Sequence, residues 1–180
     1  MKILLTGGLG YIGSHVAAEL AVQGYELAII DNLSNSKISV LTSLLELTGK
    51  HIEFFHSDIE DEAALKHIFS SGDIGAVIHL AGLKSVGESV RNPLAYFASN
   101  VSGALTLLRV MAQVGVRRIV FSSSASVYGE PQSLPIDEAH PASPQSPYAE
   151  SKHQVERIIE WHCSSQERWS AVILRYFNPV

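Results

Sequence analysis

Residues 7–13, Gly7-Gly8-Leu9-Gly10-Tyr11-Ile12-Gly13, stand directly behind the apolar run Ile3-Leu4-Leu5 and open a stretch, Tyr11 to Gln23, with apolar residues at three- and four-residue spacing. A tight passage from buried strand to helix needs residues without a Cβ, because the strand, turn and helix backbones approach one another there. The same turn aims the helix's unpaired N–H groups and positive dipole end at whatever lies outside the strand, which suits a pyrophosphate. Taken alone the glycine pattern is weak, since such residues also serve ordinary strand-to-helix packing. Its position strengthens it. Asp31 ends the next predicted strand, 18 positions after Gly13, where a carboxylate accepts from adenosine ribose hydroxyls and repels a 2′-phosphate. A dinucleotide site is expected, for NAD rather than NADP. The alternative for Asp31 is a turn cap beside Asn32.

Beyond that turn, short β-rich runs alternate with longer helical patterns. Lys2 to Thr6, Tyr25 to Asp31, Ile52 to His56, Ala76 to Leu80, Arg118 to Ser122 and Ala171 to Tyr176 read as strands. Tyr11 to Gln23, Ser39 to Leu47, Glu62 to Ser70, Pro93 to Val114 and Ser146 to His162 read as crossover helices. Several strands, such as Ile3-Leu4-Leu5 and Ala76-Val77-Ile78, are apolar at successive positions, as a sheet covered on both faces requires. The fold class expected is α/β: a Rossmann-like, doubly wound parallel sheet of six strands in the order 3-2-1-4-5-6. Pro131, Pro135, Pro141, Pro144 and Pro147 disfavour regular helix and mark a long loop at a predicted active-site rim.

Composition narrows the function classes. A length of 180 residues with 46% hydrophobic and 17% charged composition supports one core, so residues 1–180 are expected to form a single dinucleotide-binding domain. A formal charge of −5 without a Lys/Arg run argues against a duplex-binding surface, so nucleic acid is not an expected partner. Met1-Lys2 leads into a strand pattern rather than a signal h-region, and no run of about 18 uninterrupted apolar residues occurs. A cytoplasmic protein with no membrane partner is expected. Cys163 is the lone cysteine, and the eight histidines show no ligand spacing, so no metal site is expected.

Three further constellations carry chemistry. Asp58 ends the third predicted strand, where a carboxylate can reach the adenine edge; a helix N-cap for the segment near Glu60 is the alternative. Leu80-Ala81-Gly82 closes the fourth with small residues that let backbone pass close to a cofactor, which any tight strand exit also needs. Tyr148 and Lys152 lie four apart on one helix face, a spacing common on solvated helices. The Ser122-Ser123-Ser124 cluster ahead of them brings a hydroxyl and the phenol to the carboxyl edge of the sheet, where such folds bind ligands. A lysine ammonium and a nicotinium cation nearby are expected to stabilise the phenolate, making Tyr148 a base near neutral pH.

These motifs resemble the extended short-chain dehydrogenase/reductase family. Within it they are most similar to the branch that interconverts UDP-glucose and UDP-galactose. The likeness rests on Thr6-Gly-Gly-Leu-Gly-Tyr-Ile-Gly-Ser-His15, Asp31-Asn-Leu-Ser-Asn-Ser-Lys37, Ala81-Gly-Leu-Lys-Ser-Val-Gly-Glu-Ser-Val90, Phe121-Ser-Ser-Ser-Ala-Ser-Val-Tyr-Gly129, Pro144-Gln-Ser-Pro-Tyr148 and Leu174-Arg-Tyr-Phe-Asn-Pro179. It implies a catalytic set of Ser124, Tyr148 and Lys152, with one tightly held NAD as a transient hydride store in galactose metabolism. By the same likeness Gly7, Gly10, Tyr11, Ile12 and Gly13 hold the pyrophosphate, and Asp31, Asn32, Leu33, Ser34, Asn35 and Ser36 hold the adenosine. Asp58 and Ile59 lie at the adenine. Leu80, Ala81, Gly82, Leu83, Lys84, Ser99, Asn100, Lys152 and Phe177 line the nicotinamide end beside Ser124 and Tyr148. Substrate contacts fall on Lys84, Ser124, Tyr148 and Asn178, and a homodimer through the helices at 93–114 and 146–162 is implied.

The chain departs from the family's pattern in two places. Members carry paired asparagines before Val-x-Gly, where this chain has Ser99-Asn100. They also continue for roughly another 150 residues, a domain-sized length that makes most of the sugar pocket, so little or no turnover is expected from residues 1–180 alone. Two alternative functions are a UDP-glucuronate epimerase or decarboxylase, and a non-catalytic NAD-binding module in which Tyr148 merely packs.

Overall fold

The computed structural model describes residues 1–178. Six strands, β1 (Lys2–Thr6), β2 (Glu26–Asp31), β3 (Glu53–His56), β4 (Ile74–His79), β5 (Arg118–Ser124) and β6 (Ser170–Tyr176), form one sheet in the order β3-β2-β1-β4-β5-β6. Every pairing is parallel. The expected class, strand count and order are therefore all observed, with strand ends shifted by one or two residues.

Each connection begins or ends where local chemistry dictates. Helix α2 (Ser39–Thr48) stops at Gly49 in the left-handed conformation, φ +64°. Helix α3 (Glu62–Ser71) starts at Asp61, whose carboxylate accepts from Ala64 N–H. Helix α7 (Pro147–Ser165) starts behind Ser146, whose hydroxyl accepts from Ala149 N–H, with Pro147 pre-set for the first turn. By contrast α1 (Tyr11–Val22) has no side-chain cap at all.

Two elements were not visible in the periodicity. A six-residue helix, α4 (Val86–Arg91), is capped by Ser85; it is too short for a repeating apolar stripe to show. The predicted helix over 93–114 is an α-turn, α5 (Pro93–Tyr96), a π-helical stretch over Phe97–Ser102, and α6 (Gly103–Val114). Its composition is apolar enough to cross a bilayer, yet half of the most apolar window is buried inside the molecule. It is a core helix.

The sheet is covered on both faces. Leu4, Ala28, Ile30, Leu65, Leu107, Met111, Phe121 and Ile159 belong to one apolar layer, under α3, α6 and α7. Ile3, Leu5, Leu27, Ile29, Ala17 and Ala21 belong to the other, under α1 and α2. The successive burial of β1 and β2 follows from this two-sided cover. The edge strand β6 alternates instead, leaving Val172 and Leu174 exposed.

Leu107 on α6 is fully buried in the first layer. Leu107→Ala is expected to lower unfolding free energy by about 2–5 kcal/mol, through lost transfer energy and the cavity left behind. A lower urea midpoint at unchanged slope is the measurement.

Candidate functional site

Strand order reverses between β1 and β4, and a cleft of about 140 Å³ opens at their carboxyl ends. Its floor is the glycine turn. Gly7 sits at φ +68°, and a Cβ there would lie 2.8 Å from the Ala81 backbone; one on Gly13 would run into the Gly7 carbonyl oxygen. Turn, helix and β4 exit are therefore in backbone contact. The first helix-closing bond of α1 is Ser14 N–H to the Gly10 carbonyl, which leaves the N–H groups of Tyr11, Ile12 and Gly13 without intrahelical acceptors. All three residues line the cleft. Uncapped N–H groups at a positive helix end make an anion site.

One end of the cleft is built around Asp31, which is 8% exposed. Its Oδ2 accepts from Leu9 N–H (3.1 Å), and its Oδ1 accepts from Leu33 N–H (2.9 Å) and the Ser36 hydroxyl (2.7 Å). Three acceptor positions are filled, and a carboxylate has about four. Asp31 thus orders its own turn and keeps acceptor capacity toward the cleft. Asp58 accepts from Asn32 Nδ2 (2.6 Å) and Glu60 N–H (2.9 Å). It does not cap α3, because Asp61 occupies that position. Ile30, Ser57 and Ser122 also line the cleft and were missed; each lies within or next to a strand end, where the pattern marks structure rather than exposure.

The opposite end is held by two buried polar side chains. Thr6 Oγ1 accepts from Leu80 N–H and Ala81 N–H, both at 3.2 Å, so its own proton points to His79 Nδ1 at 2.7 Å. That assigns His79 as the neutral Nε2–H tautomer. Asn100, inside the π-helical stretch, accepts from Leu83 N–H (2.8 Å) and donates to the Leu83 carbonyl (3.0 Å) and the Ser151 hydroxyl (2.9 Å). The widened turn therefore brings an amide to the Leu80–Lys84 segment and ties it to α7. Ser99 lines the cleft.

At the carboxyl end of β5 the three serines meet α7. Lys152 is buried, and its Nζ donates to the Ser122 carbonyl at 3.0 Å while lying 5.0 Å from the Phe121 ring centroid. Burial lowers its pKa to about 8, with Glu156 opposing the shift. The Ser124 side chain lies beside the Tyr148 phenol, and its Oγ accepts from Ser126 Oγ at 2.9 Å. Burial pushes the Tyr148 pKa up, against the lowering effect of Ser124. The Lys152 ammonium meanwhile is directed at the Ser122 carbonyl of β5. Beside this pair, the buried Tyr96 ring meets Tyr148 edge-on, with centroids 6.4 Å apart.

The proline-rich loop runs from this corner as expected. His140 anchors it by accepting from Gln132 N–H (2.9 Å) through Nε2 and donating to the Pro141 carbonyl (3.0 Å) through Nδ1. Phe177 is 61% exposed and lines a separate hollow with Tyr128 and Ile136 rather than the dinucleotide cleft. Asn178 is also exposed and outside the cleft. Leu33, Asn100, Ser124, Tyr148 and Lys152 are not among the residues that line the cleft. Among the described residues no group of three or more His, Cys, Asp or Glu side chains gathers to hold a metal ion.

A parallel doubly wound sheet with a glycine turn at its switch point, an acidic β2 end and a Tyr/Lys helix beside β5 defines a dinucleotide-dependent enzyme class. Residues 3–180 match the NAD dependent epimerase/dehydratase family, and the chain belongs to it. It is 50% identical to a UDP-glucose 4-epimerase of Dictyostelium discoideum over 99% of this chain and 52% of that protein. It is 47% identical to one of Bacillus subtilis over 99% and 53%. A UDP-glucose 4-epimerase of Bifidobacterium longum solved with NAD+ and UDP superposes with a TM-score of 0.98 at 42% identity, covering 100% of this chain and 54% of that one. The chain thus spans about half the length of the curated relatives it matches.

His79 generates a pH dependence. Its native pKa is lowered to about 3, chiefly by burial and secondarily by Lys152, whereas an unfolded histidine titrates near pH 6.5. Between these values the unfolded chain holds a proton that the native chain does not. Stability therefore falls as pH drops below about 6.5, by up to about 1.4 kcal/mol per pH unit for this group. His79→Asn is expected to make the acid limb of a denaturant-stability profile shallower.

Proposed function

We propose that this chain provides the NAD-binding and hydride-transfer part of a UDP-glucose 4-epimerase, inverting the C4 hydroxyl of a UDP-hexose without net redox change. The observation that carries the reading is the meeting of Ser124, Tyr148 and Lys152 at the carboxyl end of β5, one strand from the glycine-turn cleft. The uncapped start of α1 suits the pyrophosphate, and Asp31 suits ribose hydroxyls. Asp58 and Ile59, which line the cleft, are assigned to the adenine, and Leu80 to Lys84 with Ser99, which line it too, to the nicotinamide end.

NAD, when bound, supplies a reversible hydride acceptor. Tyr148 as phenolate takes the proton of the sugar 4-hydroxyl, and Ser124 hydrogen-bonds the reacting oxygen. Lys152 holds the nicotinamide ribose while Ser122 fixes its ammonium. Burial opposes ionisation of Tyr148, and a bound oxidised nicotinamide would supply a cation that favours the phenolate. Lys84 and Asn178 are assigned to the substrate; Phe177 would have to move toward the cleft to serve the nicotinamide. A cytoplasmic homodimer is part of this proposal, supported by the exposed Leu105 and Trp161 on α6 and α7.

Calorimetric titration of the purified chain is expected to show NAD binding, with NADP at least about tenfold weaker because Asp31 repels the 2′-phosphate. A phenolate absorbance band is expected to grow on adding NAD near neutral pH and to be missing in Tyr148→Phe, which still binds NAD. No NAD binding at millimolar concentration, or a band that survives in Tyr148→Phe, would contradict the proposal.

A further inference from the structure

Helix α7 presents one stripe of side chains spaced a turn apart, Tyr148, Lys152 and Glu156, and this stripe meets three successive residues of β5. Lys152 takes the Ser122 carbonyl, Glu156 Oε1 accepts from the Ser123 hydroxyl, and Tyr148 meets Ser124. The two outer contacts belong to the proposed chemistry. Glu156 does not, yet it is only 1% exposed. Arg175 of β6 grips it bidentately, Nε to Oε1 at 3.0 Å and Nη2 to Oε2 at 2.7 Å. A second tie runs outward, because the Arg175 guanidinium lies 4.7 Å from the Tyr128 ring centroid, and Tyr128 packs edge-on against His140 in the rim loop.

Burying a carboxylate this deeply, even against a half-buried arginine, is a poor way to gain stability, since apolar residues of similar volume usually serve as well or better. Position and charge are what such a pair adds. We propose that Glu156 is a positioning residue for the Tyr148/Lys152 pair: held by Arg175 and Ser123, it fixes α7 over the end of β5 and gives the buried Lys152 ammonium its counter-charge. The inference rests on the reading of Tyr148 and Lys152 as the acid/base and ribose-holding groups.

The surroundings of Lys152 leave that charge role to Glu156. From β4 it faces the neutral His79, and from β5 the Phe121 ring and the Ser122 carbonyl. Tyr148 lies one turn earlier on α7; behind it Tyr96 donates to Glu88 at 3.1 Å, so that carboxylate is engaged elsewhere. Arg175 carries a positive charge, made firmer by its bonds to Glu156. Neutralising Glu156 removes an attraction for the lysine ammonium and leaves Arg175 repelling it. Both effects drive Lys152 toward its neutral form.

The test is an NMR pH titration of the chain carrying ¹³Cε-lysine, with the Lys152 signal assigned by its disappearance in Lys152→Met. In Glu156→Gln the Lys152 midpoint is expected to fall by about one pH unit, and in Glu156→Asp most of that shift is expected to be recovered. The pH at which NAD affinity is half lost is expected to move down with it; a merely structural role would weaken binding at every pH without moving the midpoint. Should Glu156→Gln not fold, the double variant Glu156→Gln/Arg175→Met removes both charges and is expected to give a smaller shift of the same sign. An unmoved Lys152 midpoint in whichever variant is folded overturns the inference. Failure of the parent chain to bind NAD would overturn the proposed function instead, while the lysine signal still decides the role of Glu156.

Discussion

The contact between the glycine turn and the exit of β4 sets the geometry on which every other part of the site depends. Gly7 reaches the Ala81 backbone only because it has no Cβ and tolerates positive φ, and Gly13 lets α1 press down on the Gly7 carbonyl. Two consequences follow from one close approach. The start of α1 points into the gap between β1 and β4, and the Leu80–Lys84 segment is brought across from it. A side chain at either glycine would open that gap and separate the anion-binding helix end from the segment that faces it.

Such tight backbone packing requires that the polar groups trapped beneath it be satisfied, since a buried unpaired donor or acceptor costs about 1–3 kcal/mol. Thr6 serves two backbone N–H groups of the β4 exit while donating to His79, and Asn100 serves both polar backbone atoms of Leu83. These side chains are scaffolding for a loop that has no regular structure of its own. Asn100 also reaches Ser151, whose hydroxyl donates to the Tyr148 carbonyl at 2.7 Å. The loop facing the glycine turn and the helix bearing the phenol are thus joined through one amide.

The sheet, its order and its switch point could be read from residues whose signals are local: successive apolar residues in β1 and β4, the glycine spacing, and Asp31 at a strand end. What escaped that reading depends on side chains meeting across long sequence distances. Asp58 and Asp61 are equally good caps on paper, and only the observed start of α3 chooses Asp61. The π-helical stretch has the same apolar spacing as an α-helix over its few residues, so Pro93 to Val114 read as one uninterrupted element. Phe177, a cofactor contact by resemblance, lines a hollow with Tyr128 and Ile136 just past β6, a placement that no local pattern signals. Glu156 carries no local signal, because its partners, Ser123 and Arg175, lie on two strands far from it in the chain.

The electrostatics of the corner follow from that same distinction between local and assembled features. A tyrosine and a lysine four apart on a helix suggest a lysine-activated phenol, and on an isolated helix nothing would contradict it. In the folded chain Lys152 is drawn inward to the Ser122 carbonyl, and burial raises the Tyr148 pKa. A phenol left ionised in this half-buried setting would face the desolvation cost continuously. One that ionises only beside a bound cation faces it only when the charge is compensated. On the proposed reading, the arrangement would link the basicity of Tyr148 to occupancy of the neighbouring cleft, with the Lys152 ammonium held in place by the Ser122 carbonyl.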